Sequence, residues 1–436
     1  FDVEVLKQVF TKIQEHHDAL RLIFKEENGR SIQVNAGLDH PFSLQVFDFS
    51  GLDHERAVQE LRSKANGIQG SIDLAHGPLM KLALFRLADG DRLLIVAHHL
   101  VIDGISFRIL FEDIQTLYQQ YREGQPPVLP LKTDSFHAWS RAVGEYADTP
   151  GFLEKEKPYW AKVEGTSVPV IPTDFTAPNL RADNQRVSID LSEEDTQLLL
   201  SDVHTAFSTE INDILLTALA LAVREIFAND RLAVSLEGHG REPIGKDIDI
   251  SRTVGWFTSV YPVVLDLSAN VPTAGNAPAD LDRAIVAIKE ILHRLPNRGI
   301  GYGIFKYLTR PEHKKDIVFR LKPQVGFNYL GQFDADVGQM SFGIARESTG
   351  RIHSEKGHNE FELDVSGMIA AKRMVMAVSF SKKQFKEETV RALLQSYKKH
   401  LVHIIDFCSK KQERELTPSD LDYKDLSVED LDAIFD

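Results

Sequence analysis

The sequence predicts a mixed α/β (α+β) protein built as two lobes. Three observations carry this. The chain has 436 residues, more than one hydrophobic core usually serves. Strand-like apolar runs and segments of helical period occur in both halves. A Pro- and Asn-bearing stretch from about Val168 to Asn184 has neither period and reads as the linker between the halves. No internal sequence repeat accompanies the two halves.

The elements follow in order. Residues 1–28 read as helix, with Val5, Val9, Phe10, Ile13 and Leu20 on one side. Met80 to Leu87 and Arg92 to His99 read as a hairpin, with Gly90 and Asp91 in its turn. After Gly104 the period becomes helical: Leu110, Phe111, Ile114, Leu117, Tyr118 and Tyr121 recur until Gly124, Pro126 and Pro127 stop it. A further helical segment covers about 134–163. The second half opens with Val187 to Leu191 as strand, and Ser192 caps a helix from Glu193 to Phe207. Residues 209–228 form the most apolar helix of the chain. Strand follows at 231–237 and at Phe257–Leu267, helix at about 279–294, and strands at Val325–Leu330 and within 360–381. The domain reading is 1–175 for the first lobe, 176–416 for the second and 417–436 for an acidic tail.

Composition narrows the function. Apolar residues make up 43% of the chain, enough for a sizeable core. No apolar run approaches the ~18 residues of a membrane span. No signal peptide is visible, and Phe1 falls inside a helical pattern, so the chain reads as a piece of a longer cytoplasmic protein. One cysteine, Cys408, allows neither an internal disulfide nor a thiolate metal cluster. A net charge of −14 speaks against a non-specific nucleic-acid binder and against simple attraction to an acidic partner.

Chemistry concentrates in two places. His98-His99-Leu100-Val101-Ile102-Asp103-Gly104 puts two imidazoles, then a carboxylate and a glycine, at a strand-to-helix junction. Imidazole moves protons near neutral pH. Glu237-Gly238-His239-Gly240-Arg241-Glu242 follows the strand Leu232–Leu236 and packs carboxylates, an imidazole and a guanidinium into six residues. An ion-paired loop is the plainer reading of that segment. Pro296 to Gly303 is glycine-rich but lacks the Gly-Lys-Ser/Thr ending of a phosphate loop. His16-His17-Asp18 imitates the first motif inside a helical pattern and reads as a solvated helix face. A zinc site from His98, His99 and Asp103 is disfavoured, because adjacent strand residues point to opposite faces.

The segment His98–Gly104 resembles the HHxxxDG signature of the condensation superfamily of nonribosomal peptide synthetases. That signature is shared by condensation, cyclisation and epimerization domains. The EGHGRE segment at 237–242 resembles epimerization domains more specifically. So do Ser251–Pro262, Pro296–Gly303, Phe327–Asp334 and Thr209–Leu216. The resemblance covers nearly the whole chain. The family's usual opening strand and PIQ-type segment are expected before Phe1.

The resemblance implies two chloramphenicol-acetyltransferase-like lobes forming a V-shaped pseudo-dimer with an active-site channel between them. It implies an aminoacyl or peptidyl thioester on the phosphopantetheine arm of a carrier domain, inverted at its α-carbon. A thioester carbonyl acidifies the neighbouring Cα–H, and inversion needs one proton removed from one face and another delivered to the opposite face. His99 and Glu237 are the expected pair, facing each other from the two lobes; which one takes the proton first stays open. His98, Asp103 and Gly104 support the loop. The resemblance pairs Asp103 with an arginine of the first helix, for which Arg21 is the candidate. Removing Asp103 would then leave a buried cation, at a cost of roughly 3–5 kcal/mol.

The enolate oxygen is expected to meet amides near Gly104 at the helix start. Asn328 and Tyr329 are the other candidates, by resemblance. No metal is expected, and no cofactor bound by the domain itself, since 4′-phosphopantetheine arrives with the carrier. The expected partners are the peptidyl carrier domain of the same synthetase and, through the tail, a downstream module. Nucleic acid and membrane are not expected, and the isolated domain is expected to be monomeric. The acidic tail also reads as merely solvated. The alternative functions are a condensation domain joining two carrier-bound substrates by amide formation, and a silent lobe that only gathers carrier domains.

Overall fold

A computed structural model of the chain describes residues 1–245, 247–268, 278–332, 342–411 and 413–421. Its contacts divide into two units. Unit 1 takes the described residues of Phe1–Tyr146, His239–Thr258 and Asp336–Ser354, and unit 2 those of Ala147–Gly238, Ser259–Ala335 and Glu355–Asp436. The sequence reading divides the two lobes near residue 175; the contacts cut at Tyr146 and return residues 239–258 and the described residues of 336–354 to unit 1. Packing explains the earlier cut and the return of 239–258. Val254 is buried in the core of unit 1, and Trp160 is fully buried with its ring 5.0 Å from that of Tyr302 in unit 2.

In unit 1, α1 (Val3–His16) is capped by Asp2, whose carboxylate accepts from the Glu4 and Val5 amides. The expected helix over 1–28 stops at His16. A short 3-10 turn (Asp18–Arg21) follows, and Leu22–Glu27 is strand β1, paired antiparallel with β2 (Arg30–Asn35). Strands β3 (Leu44–Asp48), β4 (Met80–Leu87) and β5 (Gly90–Ala97) form a second sheet, with the expected hairpin between β4 and β5. Helix α2 (His54–Gly70) covers one face of it and α1 with α3 (Gly104–Arg122) the other.

The two-residue period of β4 makes this sandwich possible. Met80, Leu82 and Leu84 join Leu6, Phe10, Ile13, Leu110 and Leu117 in one core. Ala83, Phe85 and Leu87 join Leu61, Ala65 and Ile68 in the other. A strand buried on both faces reads as a continuous apolar run, which is what Leu82–Phe85 is, with Lys81 and Arg86 flanking it. Helix α4 (Phe136–Tyr146) closes the unit's first stretch of chain.

In unit 2, α5 (Pro150–Gly165) precedes the stretch read as a linker. A six-stranded sheet follows. It comprises β6 (Asn184–Asp190), β7 (Arg231–Gly238), β8 (Ser259–Asp266), β9 (Val325–Tyr329), β10 (Leu363–Ala370) and β11 (Arg373–Ser381), ordered β6-β11-β10-β9-β7-β8. Both pairings of β9 are parallel and the rest antiparallel. Ser192 caps α6 (Glu193–Leu200) through the Asp195 amide, as expected, but that helix ends seven residues short of Phe207.

Helix α7 (Ile211–Phe227) is buried from Asp213 to Arg224, as apolar composition on all sides requires. Helix α8 (Pro278–His293) lies where expected. Helix α9 (Glu387–Lys410) packs against α7. The described start of the tail is anchored. Lys289, fully buried, donates to both oxygens of Asp420 at 2.8 and 2.7 Å and to Thr417 Oγ1 at 2.8 Å. The rest of the acidic tail, 422–436, lies outside the described residues, as do Phe333 and Asp334 of the resembling segment Phe327–Asp334.

Candidate active site

In unit 1, β5 ends at Ala97 and the chain turns through a short 3-10 segment, His99–Val101, into α3. His98 stays tied to the sheet, its amide donating to Leu79 O at 2.9 Å. Its Nδ1 accepts from the Leu100 amide at 3.2 Å, so a neutral ring carries its proton on Nε2. Burial, with His99 beside it, pulls the His98 imidazole below its ordinary value. His99 is exposed, with its ring 5.2 Å from that of Trp256. The adjacent imidazoles thus divide the work: one is fixed in the fold and the other is presented to solvent.

Asp103 holds this junction together, with a partner other than the one expected. One oxygen caps α3 through the Ser106 amide at 2.7 Å, and the other accepts from the Phe257 amide at 3.1 Å. Its cation is Arg241, at 3.4 Å. Arg21 instead binds Asp18 at 2.5 Å and the carbonyls of Gln14 and Glu15. The physical reason is the early end of α1: Arg21 lies in the 3-10 turn that follows, where it closes the last carbonyls of α1 and the carboxylate of Asp18. Arg241 also donates to Ile250 O, Thr253 O and Ser106 Oγ, and its guanidinium lies 4.0 Å over the Phe257 ring. Ser106 Oγ and the Gly255 backbone complete the cluster.

His239 Nε2 and Glu242 Oε1 lie 3.1 Å apart in the loop beside it, with His239 Nδ1 accepting from the Arg241 amide. Within the EGHGRE segment the ion-paired reading holds for Arg241, through Asp103. Gly104 is exposed at the first turn of α3, with open space around its Cα.

In unit 2, Glu237 is the exposed last-but-one residue of β7. Leu236 pairs with Phe327 of parallel β9, so Glu237 and Asn328 follow at the next step on neighbouring strands. Asn328 Nδ2 donates to Glu237 Oε2 at 2.6 Å. Tyr329 is half-buried, and burial pushes its phenol up, so its O–H remains available as a donor. Gly238 allows a close approach from β8: a Cβ there would stand 2.8 Å from Ser259 Oγ.

His16, His17 and Asp113 form a cluster of metal-ligand type among the described residues, their ligand atoms within 4.8 Å of one another. The reading of His16-His17-Asp18 as a solvated face is corrected here. His17 is 5% exposed, because α1 ends at His16 and the turn drives the next ring inward. Both oxygens of Asp113 are engaged, one by His17 Nε2 at 2.8 Å and the other by Arg252 at 2.5 Å. The set is a structural bridge from α1 to α3 and to the 239–258 segment.

A family model for the condensation domain matches residues 1–427. The chain belongs to the condensation-domain family. Gramicidin S synthase 1 of Brevibacillus brevis is 44% identical over 447 residues, covering 100% of this chain and 40% of that protein. The chain thus spans well under half the length of this relative, and 12% of tyrocidine synthase 2 of Brevibacillus parabrevis, at 42% identity and 100% of this chain. The crystal structure of the epimerization domain from the third module of tyrocidine synthetase B superposes with a TM-score of 0.87 at 41% identity, covering 95% of this chain and 90% of that one.

For this condensation-family domain, the mixed helix-and-sheet architecture agrees with the expected fold class. Among the described residues, no helix is long and apolar enough to cross a membrane. The sequence reading missed two buried charged residues. Arg241 was in plain view, a guanidinium beside glycine in the most distinctive segment. Glu156 gave no signal, since one glutamate in Glu154-Lys155-Glu156-Lys157 looks like any solvated charge. It is fully buried and accepts from Trp160 Nε1 and Asn297 Nδ2, each at 2.6 Å.

Burial pushes the Glu156 carboxyl up to about 7, against the two donors and Lys155. A folded-state value above the unfolded one means that the native state holds the proton longer. Stability from this group is therefore full below about 4.5 and declines as the pH rises to about 7. In urea titrations from about pH 4.5 to about pH 8, Glu156→Gln is expected to remove that decline.

Proposed function

We propose that this domain inverts the α-carbon of an aminoacyl or peptidyl thioester carried on the phosphopantetheine arm of a carrier domain, with His99 and Glu237 moving the two protons. The observation that carries this reading is the exposed Glu237 carboxylate, held in place by Asn328. Amide formation between two carrier-bound substrates has no stereochemical need for such a group, whereas inversion needs a second proton carrier besides the imidazole. The similarity at 41% identity to an epimerization domain over 95% of the chain supports the same choice.

The thioester carbonyl acidifies the α-proton by delocalising the carbanion as an enolate. His99 is presented by a rigid junction, since Asp103 and Arg241 fix the turn after it. Each proton carrier contributes on the order of 10²–10⁴ in rate. The developing oxyanion requires donors; the exposed first turn of α3 at Gly104 and the Tyr329 phenol are the candidates. Asn328 acts through Glu237, which it already binds. Tyr329→Phe is expected to slow inversion by about 10²-fold, the scale of losing one preorganised donor, and Asn328→Ala by up to about 10²-fold, through misplacement of the Glu237 carboxylate. Initial-rate assays of product stereochemistry check this, and two unaffected variants would remove both residues from the mechanism.

The function is tested with L-aminoacyl carrier protein in deuterated water. Deuterium at Cα together with D product is expected. Peptide formation with an added acceptor, without α-exchange, would assign condensation instead. Carrier binding without either reaction would make the domain a docking lobe.

A further inference from the structure

We propose that Glu156 is a positioning residue for the strand end that carries Glu237, acting through the backbone turn at residues 296–301. This rests on the proton-carrying role of Glu237 given above.

The argument starts from a conformation that needs support. Asn297 and Arg298 both sit in the left-handed region, at φ 46° and 50°, and Gly299 follows at 85°. Two successive non-glycine residues in that region are unfavourable and persist only when their surroundings over-determine them. Glu156 supplies that determination from α5. Its Oε1 accepts from the Asn297 side-chain amide at 2.6 Å, and Lys155 Nζ donates to Asn297 Oδ1 at 3.0 Å. Its Oε2 accepts from Trp160 Nε1 at 2.6 Å, which fixes the carboxylate plane. Gly301 is part of the same fit, because a Cβ there would overlap the carboxylate.

The far side of the turn leans on the catalytic strand. The Arg298 carbonyl lies 3.7 Å from where a Cβ of Gly238 would stand, and Gly299 lies close against the Tyr261 ring. Tyr261 is the β8 partner of Leu236, Val260 of Glu237 and Ser259 of Gly238. A continuous set of contacts thus runs from Glu156 through Asn297 and the turn to the residues on either side of Glu237. A wholly buried carboxylate is costly to keep. Its raised value, about 7, reflects that cost. The fold retains it where a neutral side chain would fill the cavity but leave one donor unmatched.

The test is a reciprocal exchange, assayed at about pH 8 so that the carboxyl is ionised. Glu156→Gln sets a side-chain NH₂ against a donor. It is expected to lower kcat for inversion about tenfold, as a small misplacement of a reacting group does, with KM for the aminoacyl carrier unchanged. Amide hydrogen exchange at residues 236–238 and 298–301 is expected to speed up. Asn297→Asp alone opposes two carboxylates and is expected to do the same. In the double variant the side-chain amide at position 156 accepts from Trp160 through its oxygen. Its NH₂ then donates to the new carboxylate at position 297, restoring both contacts. The double variant is expected to return kcat to within about threefold of the parent.

A Glu156→Gln protein with altered melting but unchanged kcat and unchanged exchange at 236–238 would overturn the proposal. So would a double variant no better than either single one. If His99→Ala and Glu237→Gln left inversion intact, the functional reading would fail by itself. The hydrogen-exchange pattern would still decide whether Glu156 holds the turn against the strand.

Discussion

Replacing His99 by alanine is expected to slow α-carbon inversion by about 10²–10⁴-fold, the usual contribution of a positioned general acid or base. Stability is expected to change by no more than about 0.5 kcal/mol, as for an exposed side chain. The separation follows from the junction's construction. The His99 ring is exposed beside Trp256, while the neighbouring His98 ring and Asp103 carry the hydrogen bonds that shape the turn. His98→Ala should show the reverse balance, with a larger loss of stability than of turnover per folded molecule. Product stereochemistry and urea titration on the same preparations check both halves of this expectation.

The second large effect is expected at Arg241. Its side chain is 8% exposed and that of Asp103 4%. Arg241→Met removes the cation from a buried pair and leaves Ser106 Oγ and the carbonyls of Ile250 and Thr253 without that donor. Breaking such a pair from one side costs about 3–5 kcal/mol, so the urea midpoint is expected to fall by that equivalent. Asp103 retains the Ser106 and Phe257 amides, which places the effect toward the lower end. Combining Arg241→Met with Asp103→Asn should cost less than the two single changes added together, since the second removes the charge stranded by the first. Arg21→Met, by contrast, touches only the end of α1 and the turn after it and should leave the His99 junction intact.

The contrast between Arg21 and Arg241 shows what the sequence makes legible. The hairpin β4–β5, the turn and α3 were readable because one apolar run changes from period two to period 3.6 at Gly104. The capped helix at Ser192 and the apolar helix near 211–227 were readable for similar local reasons. The partner of Asp103 was not, because no local rule connects a residue to one 138 positions away. The family expectation offered an arginine of the first helix, and the early stop of α1 leaves Arg21 bound to Asp18 and the end of that helix.

Residues 22–35 pair as a two-stranded ribbon with a mostly exposed surface, so Leu22, Ile23 and Phe24 merged into the preceding helical pattern. Helix α2 has a narrow apolar stripe of Ala57, Leu61, Ala65 and Ile68, two of them alanines, which read weakly. Helix α9 is different. Val390, Leu393, Leu394, Tyr397, Leu401, Ile404, Ile405 and Cys408 follow a clear helical period in the sequence itself. The place of Glu237 at the end of its strand was legible from its segment and the apolar run before it. The Asn328 contact follows only from the register of β7 against β9, which is a property of the folded sheet.

The central claim is that two different side chains, His99 and Glu237, serve opposite faces of one α-carbon. Deuterium wash-in at Cα from separate L- and D-aminoacyl carriers tests it most directly, using His99→Ala and Glu237→Gln. With one proton carrier gone, the other still abstracts from the face it serves and exchanges with solvent, but inversion stops. The account predicts a mirror-image pattern, with each variant exchanging one enantiomer without inverting it and the two variants choosing opposite enantiomers. Loss of the same enantiomer's exchange in both, or unimpaired inversion in either, would contradict it.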